Sequence, residues 1–263
     1  IIISRSDSTL RGHYPLENEI LKKGIEKNGG QVDGEIICPF FAEGGRFTIE
    51  NIHYVKQEGR LIPAGETEFA KDKTFGYKSS NLLEYVEEKT AGKYKANSVI
   101  SIATKDLKEK NIDKIYKQLM DVVNFNKIIV NSSSYEELTV FIVALYKAMK
   151  QGKRFLFRVA ASFVKVIGGI ADAPLLQKKD MVRNHLTNGG IIVVGSHTNK
   201  TTSQLEELRK LRNIEFIEFN SDLVLDEKLF EKEIKKVVKE EEEFINKRIN
   251  VVVYTKRKIL VVE

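Results

Sequence analysis

A chain of 263 residues, 42% hydrophobic and 30% charged, can bury one large core or two modest ones, and two domains is the preferred reading. The net charge of +6 is carried by interspersed lysines and glutamates, not by a basic block, which argues against nucleic acid and for a soluble surface biased toward anionic ligands. No apolar stretch reaches the roughly 18 residues of a membrane span, no secretory signal is visible, and the lone Cys38 cannot form an internal disulfide, so a cytoplasmic protein without membrane contact is expected.

Three β-branched residues at 1–3 predict the end of a buried strand, and Pro15 opens an amphipathic helix over 15–27. Leu16, Ile20, Leu21 and Ile25 form its apolar stripe, and Gly29-Gly30 ends it. Between strand and helix lies Ser4-Arg5-Ser6-Asp7-Ser8-Thr9-Leu10-Arg11-Gly12-His13. Ligands of open α/β sheets bind beyond the carboxyl ends of strands, so this run is a candidate ligand loop. Arg11 can hold a carboxylate or phosphate through two parallel hydrogen bonds, Asp7 can accept from hydroxyls, and Gly12 permits close backbone approach. The same residues would also suit an ordinary strand-to-helix turn.

A second strand, 35–41, holds Cys38 as a small buried hydrophobe and leads into the turn Gly44-Gly45-Arg46, where Arg46 can meet the same anion as Arg11. The runs 53–55 and 60–63 around Glu58-Gly59 predict a hairpin, with Pro63 at an edge or strand end. Residues 66–77 are expected as a loop or short helix over the site, Asp72 either positioning substrate or capping a turn. His13 and His53 qualify as acid/base groups by residue type alone. A regular alternation follows: helix 81–88, strand 99–103, helix 112–123, strand 128–131, a largely buried helix 135–149 behind the capping box at Ser134, and strand 154–159. Arg158, Ser162 and Lys165 at the end of that strand are candidate anion contacts. Such alternation implies right-handed crossovers and a mostly parallel, doubly wound sheet.

Gly168-Gly169 and Asp172-Ala173-Pro174 read as an interdomain connection, giving domains 1–172 and 173–263. The second begins with a helix-like stretch through Leu186. An uninterrupted β-branched strand, 191–194, suits the middle of a parallel sheet, and Gly195-Ser196 and a polar loop precede a helix over about 202–211. Strand, glycine, hydroxyls and helix N-terminus are the physical recipe for phosphate, although the spacing is not that of a Walker A loop. Strand 216–220, helix 226–247 and strand 251–254 complete the pattern, the charge run 235–243 reading as a solvated helix face.

The hexapeptide Asp7-Ser8-Thr9-Leu10-Arg11-Gly12 resembles the signature of the four-carbon acid sugar kinases. The similarity continues in order through residues 39–48, 66–77 and 158–165 and into Gly195-Ser196-His197-Thr198-Asn199-Lys200-Thr201-Thr202-Ser203-Gln204. It implies two Rossmann-like α/β domains with mostly parallel sheets, the first for a sugar acid and the second for a nucleotide. It also implies ATP-dependent phosphorylation of threonate, erythronate or 3-oxo-tetronate. On this resemblance Asp7, Ser8, Arg11, Arg46 and Arg158 would bind the sugar acid, Asp7 and Arg11 acting in catalysis. Gly195, Ser196 and Thr198 would hold part of ATP, with Mg2+ bridging its phosphates and no metal ligand from the protein. Thr198 stands where the family pattern has serine. The family also carries an upstream Asp-rich loop and a downstream Gly-rich loop that this sequence does not show, so a chain shortened at both ends is expected. The rival readings are a sugar-acid-binding module without catalysis and a basic protein that binds nucleic acid. A homodimer is the assembly considered.

Overall fold

The computed structural model describes residues 1–182, 187–258 and 260, and the chain divides into two units, Ile1–Ala173 and Pro174–Glu263. In the first, strands and helices alternate as β1 (Ile2–Arg5), α1 (Leu16–Lys27) and β2 (Gly34–Cys38), followed by three short strands, β3 (Arg46–Ile49), β4 (Ile52–Gln57) and β5 (Arg60–Pro63). The alternation resumes with α2 (Leu82–Lys89), β6 (Ile100–Ile102), α3 (Thr104–Lys108), α4 (Ile112–Met120), β7 (Asn126–Val130), α5 (Tyr135–Lys150), β8 (Phe155–Val159) and α6 (Ala161–Ile167). Five of these strands form a parallel sheet in the order β1-β8-β2-β7-β6, and β3, β4 and β5 form a separate antiparallel meander.

The central strands β2, β7 and β8 are buried along almost their whole length, as strands covered on both faces must be. Ile36, Ile128 and Phe157 face a core shared with Leu119, Phe141 and Phe163 of α4, α5 and α6. Ile37 and Ile129 face the opposite way, onto Leu10, Tyr14, Tyr77 and Tyr85. Cys38 is fully buried and unpaired, and burial pushes its thiol up to about 12. A thiol reagent such as Ellman's is therefore expected to leave the folded protein unmodified and to titrate one thiol after denaturation; fast labelling without denaturant would contradict this packing.

Three expectations for the first unit need correction. The strand 35–41 stops at Cys38, because Pro39 has no N–H for the ladder, and Phe41 instead bridges back to Arg46. Arg46 does not end in a turn but begins β3, so the expected hairpin is two-thirds of a meander. In α1 the apolar stripe is only half used. Leu21 and Ile25 pack on Val32, Phe125 and Leu156, whereas Leu16 and Ile20 are exposed and the buried residue is Asn18.

The second unit contains α7 (Lys178–Met181), β9 (Ile191–Val194), α8 (Asn199–Leu208), β10 (Ile214–Phe219), α9 (Glu227–Asn246) and β11 (Asn250–Thr255). Its parallel sheet has the order β10-β11-β9. Among the described residues β9 is an edge strand with Val193 74% exposed, and the middle strand is β11, whose Val251 and Val252 are fully buried. A β-branched run identifies a strand but does not fix its place in the sheet. The expected helix through Leu186 lies partly outside the described residues. Among the described residues no helix is long and apolar enough to cross a membrane.

Candidate sugar-acid and phosphate sites

The loop that leaves β1 is held unusually firmly. Ser6 N–H still donates to Val159 at 2.9 Å, extending the ladder to β8, and Leu10 N–H closes a turn on the Asp7 carbonyl at 3.2 Å. Leu10 sits at φ 70° and Gly12 at φ 125°. The left-handed backbone at Leu10 is unfavourable for a branched-chain residue, and the surroundings impose it. Four successive carbonyls are each gripped by a side chain from elsewhere: Ser8 by His53 Nε2 at 2.8 Å, Thr9 by the Tyr77 hydroxyl at 2.7 Å, Leu10 by the Tyr85 hydroxyl at 2.8 Å, and Arg11 by Arg158 Nη2 at 3.3 Å. A loop satisfied in this way does not need a ligand to order it.

The loop turns its own charged groups to one side. The Asp7 Oδ2 atom accepts from the Thr9 hydroxyl and from Arg11 Nε at 2.9 Å. Burial pushes the Asp7 carboxyl up, but the hydrogen bonds from Thr9 and Arg11 and the Arg11 charge outweigh it, so the group titrates below its ordinary value. Asp7 is thus a carboxylate at neutral pH, a good acceptor and a weak base. These groups line a cleft of about 500 Å³ at the carboxyl end of the sheet with Ser4, Ser6, Glu17 and Asp72. A cleft of about 460 Å³ lined by Asp33 and Arg154 lies at the opposite, amino ends of β2 and β8, where α/β sheets do not ordinarily bind ligands.

The other expected residues are placed as follows. Arg46 belongs with Arg11: their guanidinium carbons lie 5.8 and 5.0 Å from the centre of the same ring, Phe69. Asp72 accepts N–H bonds from Thr74 and Phe75 at 2.9 and 3.0 Å, and these hold its carboxyl below the ordinary value. It caps that turn and stands 3.7 Å from Arg11 Nη1. Arg158 is only 4% exposed, and its guanidinium is engaged by the loop carbonyls, Ser6 Oγ at 3.2 Å and Glu17 at 3.5 Å. Ser162 is buried, accepting from Ala42 N–H at 3.1 Å, and Lys165 pairs with Asp172 over the Tyr135 ring, so neither lines the cleft. His13 is exposed, edge-on to Phe75.

His53 is not an acid/base group. It is fully buried, and because the Ser8 carbonyl can only accept, Nε2 carries the proton while Nδ1 accepts from the Thr48 hydroxyl at 3.0 Å. Burial pulls its pKa down to about 4, so it stays neutral. Glu17, Phe69, Tyr77 and Tyr85 are the residues of this site that sequence reasoning missed. Phe69 and Tyr77 lie in the 66–77 segment expected over the site, and Glu17 is one turn into the first helix, but none of the three was singled out.

In the second unit, β9 runs into Gly195, whose carbonyl accepts from Thr255 Oγ1 at 3.2 Å. The Thr198 hydroxyl caps α8 through Thr201 N–H at 3.4 Å, which starts that helix three residues earlier than expected. Ser196, Thr198 and Thr201 form a cluster of mutually bonded hydroxyls. Arg257, beyond β11, donates to the Ser196 carbonyl at 2.5 Å and to Thr202 Oγ1 at 2.8 Å. Its Nε and Nη1 are buried without partners among the described residues. Hydroxyls, a helix N-terminus and a cation suit nucleotide phosphates. Among the described residues no three acidic, histidine or cysteine side chains group as metal ligands.

The chain is thus a two-unit α/β protein, with a polar loop at the carboxyl end of the first parallel sheet and a hydroxyl-rich turn before a helix in the second unit. The chain belongs to the sugar-binding N-terminal domain family, which it matches over residues 1–167, and residues 191–263 match the nucleotide-binding C-terminal domain family. This pairing is the architecture of the four-carbon acid sugar kinases. No curated protein matches by sequence. Among solved structures, a Salmonella typhimurium LT2 protein carrying the provisional name tRNA synthase is similar in fold, with TM-score 0.58 and 11% identity over 97% of this chain and 56% of that one. A Haemophilus influenzae protein of the DUF1537 family gives TM-score 0.49 and 14% identity, covering 96% of this chain and 56% of its own. A Bordetella bronchiseptica DUF1537 domain, a domain-swapped dimer with bound citrate, gives 0.46 and 14%, covering 98% and 55%. The chain thus spans little more than half the length of these structures.

Proposed function

We propose that this chain is part of an ATP-dependent kinase for a four-carbon sugar acid, with Asp7, Ser8, Arg11 and Arg46 as its substrate contacts. The observation that supports this most is the Ser8-to-Arg11 loop, held by four side chains with Asp7 and Arg11 beside a polar cleft, within a sugar-binding domain that is followed by a nucleotide-binding one. Arg11 and Arg46 take the substrate carboxylate, and Asp7 orients a hydroxyl as its acceptor. Arg158 acts indirectly, by fixing the loop. Gly195, Ser196 and Thr198 take part of the nucleotide, joined by Arg257. Bound ATP and Mg2+ would supply the phosphoryl group and neutralise charge on it. The residues of the chain contribute positioning and electrostatic complementarity, which is most of what phosphoryl transfer requires.

The test is a thermal shift with D-threonate, D-erythronate and 3-oxo-tetronate, each with and without Mg-ATP, against Arg11→Ala. A ligand at about 100 times its dissociation constant adds roughly 2.7 kcal/mol of stability to a folded protein. Stabilisation of the parent but not of Arg11→Ala is expected. Loss of this difference in a folded variant would refute the assignment of Arg11, and tetronate binding without turnover would leave a sugar-acid-binding module.

A further inference from the structure

Phe69 lies on a one-turn 3-10 helix, Glu68–Lys71, with its half-buried ring packed against the tyrosine-rich face of the sheet. Two arginines from different elements converge on it. Arg11 comes from the loop after β1, Arg46 from the start of β3, and both guanidinium carbons lie within cation–π range of the one ring, at 5.0 and 5.8 Å. Like charges gathered there repel each other, and part of that cost is offset by the ring quadrupole and part by Asp7.

Both guanidiniums keep unused donors. Arg11 engages Asp7 and Thr9 through Nε, whereas its Nη1 stands 3.7 Å from Asp72, beyond hydrogen-bond length. Arg46 donates to the Gly44 carbonyl, and its Nε is buried without a partner among the described residues. Such a pair is completed by an anion with two acceptor oxygens.

We propose that Phe69 is a positioning residue that gathers Arg11 and Arg46 into one two-arginine subsite for the carboxylate of the sugar acid. The identity of the anion rests on the function proposed above; the gathering of the two arginines by the ring does not. An aliphatic residue fills the same volume without the quadrupole, and tyrosine retains it.

Phe69→Leu and Phe69→Tyr decide the matter by two readouts on the full chain. Calorimetry with D-erythronate is expected to show about a tenfold weaker dissociation constant for Phe69→Leu and a value within about twofold of the parent for Phe69→Tyr. Without ligand, phenylglyoxal labelling mapped by mass spectrometry is expected to modify Arg11 and Arg46 faster in Phe69→Leu than in the parent, with Phe69→Tyr unchanged. Equal affinity and equal labelling in a folded Phe69→Leu protein overturn the proposal, as does an affinity loss that tyrosine fails to rescue. If the parent binds none of D-erythronate, D-threonate and 3-oxo-tetronate, the sugar-acid reading fails, and the labelling rates alone still decide whether the ring holds the two arginines.

Discussion

Lys127→Met is expected to destabilise the N-terminal unit by about 3–5 kcal/mol, the usual cost of leaving a buried charge without its partner. Lys127 and Glu35 stand opposite each other on β7 and β2, both fully inaccessible, with Nζ 2.5 Å from Oε2. The remaining Glu35 oxygen takes the Asn18 amide at 2.5 Å, and the Lys127 ammonium lies 3.7 and 4.3 Å from the centres of the Phe125 and Tyr94 rings. Burial lowers the Lys127 pKa, and the Glu35 charge opposes it. Removing the ammonium strands a carboxylate with one amide donor in a dry layer. Removing both charges removes the desolvation penalty as well, so Lys127→Met with Glu35→Leu is expected to be more stable than Lys127→Met alone. Urea unfolding of the two singles and the double measures the coupling. A single variant as stable as the parent would mean that water reaches the pair.

That buried pair also explains a failure of sequence reading. The spacing of Leu16, Ile20, Leu21 and Ile25 defines a helix correctly, but it predicts the wrong buried residue in α1. The sheet row it meets contains Glu35, and a buried carboxylate selects Asn18 instead of a methyl group. Periodicity reports that a face is apolar and says nothing of what lies opposite. The same limit applies to β9, where four β-branched residues read as a central strand and, among the described residues, occupy an edge. The first strand of the meander escaped because Arg46-Phe47-Thr48-Ile49 is short and begins at a glycine turn.

The candidate site was most legible where its chemistry is local: Asp7, Ser8, Arg11 and Gly12 lie within six residues, and their composition suits a ligand loop as well as an ordinary strand-to-helix turn. What makes the loop rigid was illegible, because Tyr77 and Tyr85 reach it across 68 and 75 residues and look like ordinary core aromatics until their hydroxyls are placed. Arg158 shows the reverse error. An arginine at a strand end suggested an anion, whereas its guanidinium is held by the Arg11 carbonyl and joins Tyr85 on the Leu10 carbonyl.

His53 offers the test of that rigidity by pH. Its folded pKa of about 4 lies below the 6.5 of an exposed histidine, so between these values the unfolded chain binds the proton and the folded one does not. Stability therefore rises with pH through this window. The contribution is complete above about pH 6.5 and is lost as pH falls toward 4, the whole being on the order of 3 kcal/mol. Asp7 acts in a lower window, since its folded pKa lies below the ordinary carboxylate value of 3.8, and its contribution is lost as pH drops through that depressed value. The two are separable. His53→Gln retains an amide donor for the Ser8 carbonyl and cannot titrate, so its stability is expected to be flatter than the parent's between pH 6.5 and 4 and to converge on it at the acid end. An unchanged slope in His53→Gln would mean that His53 is hydrated in solution and that the Ser8 carbonyl is not held as the structure shows. Protonation of His53 in the folded state would force its Nδ1 to donate where it now accepts from Thr48. Protonation of folded His53 as pH falls to about 4 is then expected to loosen the Asp7-to-Arg11 loop, weakening ligand affinity in the parent more than in His53→Gln.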